Sequence, residues 1–366
     1  MSPKAAPSLS YSLVIPNYNG SAFILDCLKS IFSAVKNCPH TPFEIILVDN
    51  NSHDNSPLIF KNFFQKNKLP NLQSKVCYLT SNTGFAAAVN YGINRSNYSH
   101  IVVVNNDIVL KSNWFKLVSD AIVKNTIPKI STFFGTVLTR DGQKFESQGL
   151  KFYPNGRCHN IANGQKYFTS KLPQTPKIVW GASAALAVYP KKVIKSVDMF
   201  DPDFFAYEED VDLCLRFYKL GYQTIYVPQA ISYHLGGATS KLMGNFRYRM
   251  DAKNWIYIII KNYSSKEIKD YFLALSIERL RNLSGLIKST IRIYKFKSIF
   301  YLPFDIVRTY GEVIVNLSKM IQKRRQIQKM IKYGHYKTTL WSSALTSPPF
   351  VTRPALATIP LIWLKI

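Results

Sequence analysis

At 366 residues, 47% of them hydrophobic and 14% aromatic, the chain carries enough apolar material for one large or two unequal folded units, which excludes a disordered or fibrous protein. Its net charge of +26 implies an anionic partner: nucleic acid, a membrane surface or an anionic substrate. No recognition helix, zinc finger or aromatic-basic RNA motif is found, so nucleic acid is not expected and a membrane surface is favoured.

No run reaches the ~18 uninterrupted apolar residues of a membrane span, and the N-terminal "MSPKAAPSLSYS" lacks the apolar core of a signal peptide. A cytoplasmic chain is therefore expected. The five cysteines (Cys27, Cys38, Cys77, Cys158, Cys214) are odd in number and form no C-x-x-C pair, so neither a disulfide framework nor a zinc site is suggested.

In chain order, "YSLVIPNYN" reads as a strand ending at Pro16. A helix follows near Ser21, with Ile24, Leu28, Ile31, Phe32 and Val35 on one face. "FEIILVDNNS", "KVCYLTSNTG" and "HIVVVNND" are further strands. Continuous β-branched runs separated by helical patterns predict a mostly parallel sheet covered on both sides, in which ligands sit outside the carboxyl ends of the strands. Those ends are "PNYN", "DNNS", "SNTG" and "NND", which puts Asn17, Asp49, Asn82 and Asp107 along one rim. Such residues are also ordinary turn formers, but four successive ends of one kind are less easily explained that way. Asp49 can accept a hydrogen bond from a base or ribose, and Gly84 lets backbone approach a phosphate. Neither a Walker spacing nor a G-x-G-x-x-G is present. Asp107 at its strand end can begin a site for a hard divalent cation, Mg²⁺ or Mn²⁺, whose remaining positions are left to a diphosphate.

"DPDFFAYEEDVDLCLRFYKLGYQTIYVP" predicts a turn, a helix from about Glu208 to Gly221 and a strand over 223–227. Val211, Cys214, Leu215 and Tyr218 form the apolar face of that helix. Glu208, Glu209, Asp210 and Asp212 exceed what a helix dipole needs, and crowded like charges raise one another's pKa, as suits a general base. In "YHLGGATSK", His234 could complete a metal site begun by Asp107, and Lys241 could meet phosphate. From 246 to 341 the chain predicts basic amphipathic helices of the kind that lie in a bilayer interface, pack as an ordinary extension or form an oligomer contact. Residues 342–366, with four prolines, predict an extended tail.

Taken in order, "SLVIPNYNG", "IILVDNNSHDNS", "SNTGFAAAVNYGI", "VVVNND", "WGASAAL", "FDPDFFAYEEDVDLCLR" and "YHLGGATS" resemble glycosyltransferase family 2, specifically its rhamnosyltransferase-like branch, over roughly residues 10–245. The resemblance implies a GT-A fold over 1–245, followed by the C-terminal helical extension. It implies a nucleoside-diphosphate-sugar donor (dTDP- or UDP-sugar) and a saccharide or lipid-linked saccharide acceptor. By position it places Pro16, Asn17 and Asp49 at the nucleobase and ribose, and Asn82, Gly84 and Asn90 along the nucleotide-sugar. Asn105-Asn106-Asp107 stands where the family carries D-x-D, with Asn105 in place of the first acid. Asp107 and His234 are then the implied metal ligands, with Asn106 beside the donor. Trp180 and Gly181 would shape the sugar and acceptor pocket. Glu209-Asp210 matches the family's Glu-Asp pair, with Asp210 as the base of an inverting transfer. Two other classes share some of these features. A sugar-phosphate nucleotidylyltransferase would need a Gly-rich basic loop after the first strand, and a non-catalytic basic binding protein leaves the acids at 208–212 unexplained.

Overall fold

The computed structural model describes residues 9–235 and 245–333. The extended tail expected over 342–366 and the proposed phosphate contact Lys241 lie outside them.

The Val- and Ile-rich runs form strands β1 (Tyr11–Asn17), β2 (Phe43–Asp49), β3 (Leu72–Tyr78) and β4 (His100–Val104), all paired in parallel in the order β3-β2-β1-β4. Short strand β5 (Ile108–Leu110) and long strand β6 (Ile130–Thr139) follow. Next come β7 (Phe145–Ser147), β8 (Leu150–Phe152), β9 (Cys158–Asn160), β10 (Lys177–Val179), β11 (Leu186–Pro190) and β12 (Gln223–His234). The main sheet runs β10-β12-β6-β11-β4-β1-β2-β3, while β8 and β9 pair apart as a hairpin. Strand β11 enters antiparallel between β4 and β6, so the sheet is mixed on that side rather than parallel throughout.

Both faces of β1, β2 and β4 are buried, which is why these strands read as near-continuous apolar runs, whereas β3 at the sheet edge is only partly buried. Leu13, Ile15, Ile45 and Leu47 face the core built with α1 (Ile24–Lys36), α2 (Ser56–Lys66) and α4 (Trp114–Val123). The alternate residues Val14, Ile46 and Val48 face α3 (Gly84–Asn94), α5 (Lys191–Ser196) and α6 (Glu209–Lys219). Several boundaries differ from the sequence reading. Strand β3 runs from Leu72 to Tyr78, so "SNTG" lies beyond its end and leads into α3. Helix α1 starts at Ile24, because residues 20–23 form a turn, and β12 continues to His234 instead of stopping at Val227. A register shift at Pro228 lets that strand resume, since proline removes a ladder donor and is accommodated at a bulge.

Beyond β12 lie α7 (Phe246–Asn262), α8 (Ser265–Asp270), α9 (Phe272–Tyr294), α10 (Ser298–Val315) and α11 (Leu317–Tyr333). The apolar face expected for α6 does not meet the sheet. Val211, Cys214, Leu215 and Tyr218 pack with Trp255, Tyr257, Ile258 and Ile259 of α7, while Leu213 and Phe217 face the sheet. Helix α6 is buried on two sides, so a one-face pattern describes only half of it.

Charged groups are buried at the same seam. Lys261 of α7 bonds Asp201 at 2.6 Å and Asp212 of α6 at 2.8 Å, and Arg216 bonds Asp212 at 2.9 Å. Lys323 of α11 reaches Asp201 and, at 2.6 Å, Asp203. Burial opposes the ionisation of Asp212, but Lys261 and Arg216 outweigh it and hold the carboxyl below its ordinary value. These pairs fix the approach to the acidic segment at 208–210.

Candidate active site

A cavity of about 1030 Å³ opens at the carboxyl ends of β1, β2 and β4. Its floor is a set of short polar side chains locked together. The Asn17 amide lies 3.0 Å from Asp49 Oδ1 and 2.8 Å from Ser56 Oγ, while its oxygen accepts from Asn106 Nδ2 at 2.8 Å. Asn50 donates to Asn82 Oδ1 at 2.9 Å and to the Gly84 carbonyl at 3.1 Å, and its oxygen accepts from the Thr83 N–H at 2.8 Å. Asn50 thereby shapes the turn that carries Asn82 and Gly84. Gly84 has φ +85, and a Cβ there would strike the Phe205 carbonyl and ring, so only glycine suits this approach.

Pro16, Asn17, Asn82, Gly84, Asn106, Asp107, Glu209, Asp210 and His234 all line the cavity. Four of the residues singled out from sequence do not. Asp49 is buried at 3% exposure and accepts from Asn17 and from the Ser52 N–H, so it orders the loop from beneath. The two ends of the Asn90 amide bond the Phe200 backbone. Trp180 stacks on Phe152 with ring centroids 4.9 Å apart, and Gly181 packs where a Cβ would meet Cys214 Sγ at 2.8 Å. These last two support the cavity wall from behind.

On one side of the cavity, Asp107 Oδ1 is 3.1 Å from His234 Nε2, and the other ring nitrogen, Nδ1, is bonded to Glu146. Strands β12 and β5 make this pairing, because His234 registers opposite Ile108. Burial pushes the imidazole down, but the two carboxylates raise it to about 10, so in this arrangement it holds a proton between them. Among the described residues no group of three His, Cys, Asp or Glu surrounds one point. With the Nε2 proton displaced, the donor set would be one carboxylate and one imidazole whose far nitrogen is fixed by Glu146, which fits a divalent ion that keeps its other positions for water and diphosphate.

On the other side stand Glu208, Glu209 and Asp210. Burial raises all three and is the main reason Glu208 and Glu209 lie well above the ordinary range, with Asp251 adding at Glu208 and Asp210 at Glu209. Asp210 is raised less, because the backbone N–H groups of Ala184 (3.1 Å) and Val211 (2.8 Å) donate to its carboxylate. It is therefore the member of the trio that most readily ionises. The segment bearing it is strained: Phe205, Tyr207 and Glu208 have φ of +64, +67 and +65. Asn254 of α7, fully buried, holds that segment by donating to the carbonyls of Phe204 (3.0 Å), Ala206 (2.9 Å) and Tyr207 (2.7 Å). The remaining carbonyl, Phe205, accepts from the Phe85 N–H at 2.6 Å.

Asn50, Glu146, Asn254, and the cavity-lining Arg157, His159, Arg247, Asp251 and Arg281 escape a sequence reading. Asn50 sits inside the "DNNS" end and could have been found there. The others stand on short hairpin strands, in the β8–β9 turn (Arg157) or within helices whose pattern carries no chemical signature.

This architecture, a nucleotide-site sheet with a cleft at its strand ends, is the GT-A glycosyltransferase fold, and solved structures of that class superpose on most of the chain. They include the mannosyltransferase PcManGT from Pyrobaculum calidifontis in complex with GDP-Man and Mn²⁺ (14% identity, TM-score 0.51, covering 89% of this chain and 85% of that one). GalNAc-T7 with UDP, GalNAc and Mn²⁺ is another (15%, 0.55, 82% and 58%), as is S. aureus TarS 1-349 (16%, 0.50, 89% and 92%). The family model for glycosyl transferase family 2 matches residues 12–197, and that for glycosyl transferase family group 2 matches residues 150–353. The chain belongs to glycosyl transferase family 2. A poly-beta-1,6-N-acetyl-D-glucosamine synthase of Staphylococcus epidermidis is 25% identical over 226 residues, 61% of this chain. The chain spans about half (49%) of that relative's length.

Proposed function

We propose that the protein is an inverting glycosyltransferase that moves a sugar from a nucleoside-diphosphate-sugar to a hydroxyl of a lipid-linked or cell-surface glycan. The observation that carries this reading is that Asp107 and Asp210, a hundred positions apart, line one cavity of about 1030 Å³. That volume holds a nucleotide-sugar with space for part of an acceptor. Rhamnose from a dTDP or UDP carrier is the donor suggested by the motifs, and the Staphylococcus epidermidis relative makes an N-acetylglucosamine carrier the first alternative to screen.

In this reading Asn17, Asn50, Asn82 and Asn106 fix the floor on which the donor's nucleoside end rests. Asp107 and His234 would hold Mg²⁺ or Mn²⁺. When bound, such an ion offsets the charge that develops on the departing diphosphate. Asp210 takes the proton of the acceptor hydroxyl as its oxygen forms a bond to the anomeric carbon, while the bond from that carbon to the diphosphate oxygen breaks on the opposite face. Its two backbone N–H donors aim the carboxylate and favour its ionised form against the effect of burial. Burial and the neighbouring carboxylates favour the neutral forms of Glu208 and Glu209 beside it.

Asp210→Asn tests this. The variant is expected to lose about 10²- to 10⁴-fold in kcat. It should still bind nucleotide-sugar as tightly as the wild type and retain its far-UV circular dichroism spectrum. Near-normal transfer by a folded variant would remove Asp210 from its role. Release of pyrophosphate instead of nucleoside diphosphate would indicate a nucleotidylyltransferase.

The same reading sets the protein on the cytoplasmic face of a membrane. No helix among the described residues is long and apolar enough to cross one. Support comes from α10 and the turn over 295–297 before it, which leave Phe296, Ile299, Phe300, Phe304 and Val307 exposed beside Lys295, Lys297 and Arg308.

A further inference from the structure

One wall of the cavity has no part in the mechanism above and differs from the rest in charge. It is made by the tip of the β8–β9 hairpin and by α9. The hairpin tip rests on α7, where Gly156 lies against Trp255 and Ile259. Glu278 of α9, 3% exposed, then accepts from Asn155 of the hairpin at 2.9 Å and from Arg281 Nη1 at 2.9 Å. This buried carboxylate ties the two elements together and sets the position of the Arg281 guanidinium, whose side chain is otherwise 56% exposed at the cavity. Arg157 lines the same wall, and its guanidinium has no partner among the described residues. His159 is the third member. Burial, with the positive charges of Arg157 and Arg281, lowers its pKa, so near neutrality it offers an uncharged ring N–H beside two cations. Two arginines against one carboxylate give the hairpin tip and α9 a positive balance, and the other acids nearest to them are Glu208 and Asp210, which act on Cys158 between Arg157 and His159.

We propose that Arg157, His159 and Arg281 form an anion subsite on the acceptor side of the cleft that takes the phosphate ester of a phospho-linked glycan acceptor. The inference rests on the transferase reading above. Guanidinium groups match phosphate oxygens in pairs, and a braced Arg281 loses less conformational freedom on binding. The subsite is assigned to the acceptor because its elements pack on α7 and not on the strand ends that carry the donor floor. Helix α9 also exposes Leu273, Ile277 and Leu280, and Ile277 lies one turn before Arg281. An apolar chain attached to the phosphate would have a surface to follow.

The test uses the full chain with Mg²⁺ and saturating UDP or dTDP, titrated by calorimetry with methyl phosphate as the soluble ester probe. Saturable binding is expected, weakened about tenfold in Arg157→Gln and in Arg281→Gln, the loss of one charge-assisted pair. Absence of saturable binding, or equal binding in both variants, overturns the proposal. A second arm pellets the protein with phosphatidylcholine–phosphatidylglycerol vesicles, and the double variant is expected to pellet as the wild type does. Reduced pelleting with undiminished methyl phosphate binding would assign the arginines to lipid headgroups and also overturn it. If no nucleotide binds but arginine-dependent binding of the ester persists, the subsite stands and the transferase reading falls.

Discussion

Asn254 shows how much one side chain can decide. A strained turn with three left-handed residues costs on the order of 1–3 kcal/mol per residue and persists only where its surroundings enforce it. Here the enforcement is a single amide bonded to three carbonyls, and Asp210 follows three residues after the last of them. Asn254→Ala is expected to lower kcat about 10²-fold, the scale for misplacing a catalytic group by about an ångström, with donor KM within about twofold. A merely structural role would lower the melting temperature and leave that split unseen. Steady-state kinetics over both substrates, run beside thermal unfolding, separate the two. Nothing in "MDAKNWIYIII" announces this task, because a lone asparagine in an amphipathic helix reads as a solvated position. Asp107 and Asp210 were legible because they sit where regular elements end, and ends are marked by composition.

Among the elements, α6 carries the most conflicting demands. It must present Asp210 at its first turn, bury apolar residues on two sides and accept Asp212 at 0% side-chain exposure. Lys261 neutralises that carboxylate and Asp201 together, and removing one partner of a buried pair leaves an uncompensated charge. Arg216, however, still pairs with Asp212 and Lys323 with Asp201 after its removal, so Lys261→Met is expected to destabilise the fold by about 1–3 kcal/mol near neutral pH, the scale of a lost charged hydrogen bond, measured by urea unfolding. The sign with pH is fixed. Asp201 and Asp212 have lowered folded pKa values, so their contribution is present above the ordinary carboxylate pKa and is lost as pH falls through the lowered values. The difference between wild type and variant should shrink in acid. Elements are legible wherever burial is one-sided or uniform: β1, β2 and β4 by their apolar runs, α1 by its stripe. They were misread where two rules met. The continuation of β12 past Pro228 was hidden because proline usually ends a strand, and the second buried face of α6 was hidden because a helix of mean polarity is expected to face water once.

At the scale of the whole molecule, the helices after residue 246 are joined to the catalytic half by a shared core and by buried ion pairs. They also bear the apolar surface around Phe296 and Phe300, which are 82% and 75% exposed. A contiguous surface of this kind flanked by lysines is unusual on a free-standing monomer. Phe296→Asp combined with Phe300→Asp is expected to abolish pelleting with phosphatidylglycerol-containing vesicles while leaving the circular dichroism spectrum and nucleotide affinity unchanged. Undiminished pelleting would send the membrane reading back to an oligomer contact. The charge of +26 announced an anionic partner but not its place, since total charge carries no geometry. Helical periodicity suggested the amphipathic extension. It could not reveal that the same helices close the cleft.

The hydrogen bond from the Phe85 N–H to the Phe205 carbonyl, together with the three from Asn254, has a consequence for how the enzyme comes into being. On the ribosome every group assigned to sugar transfer has emerged once residue 234 is out, yet the turn before the base has no clamp until α7 follows. A nascent chain in that interval owns the reagents without the fixture. Activity then switches on late in synthesis, once α7 has folded against that turn.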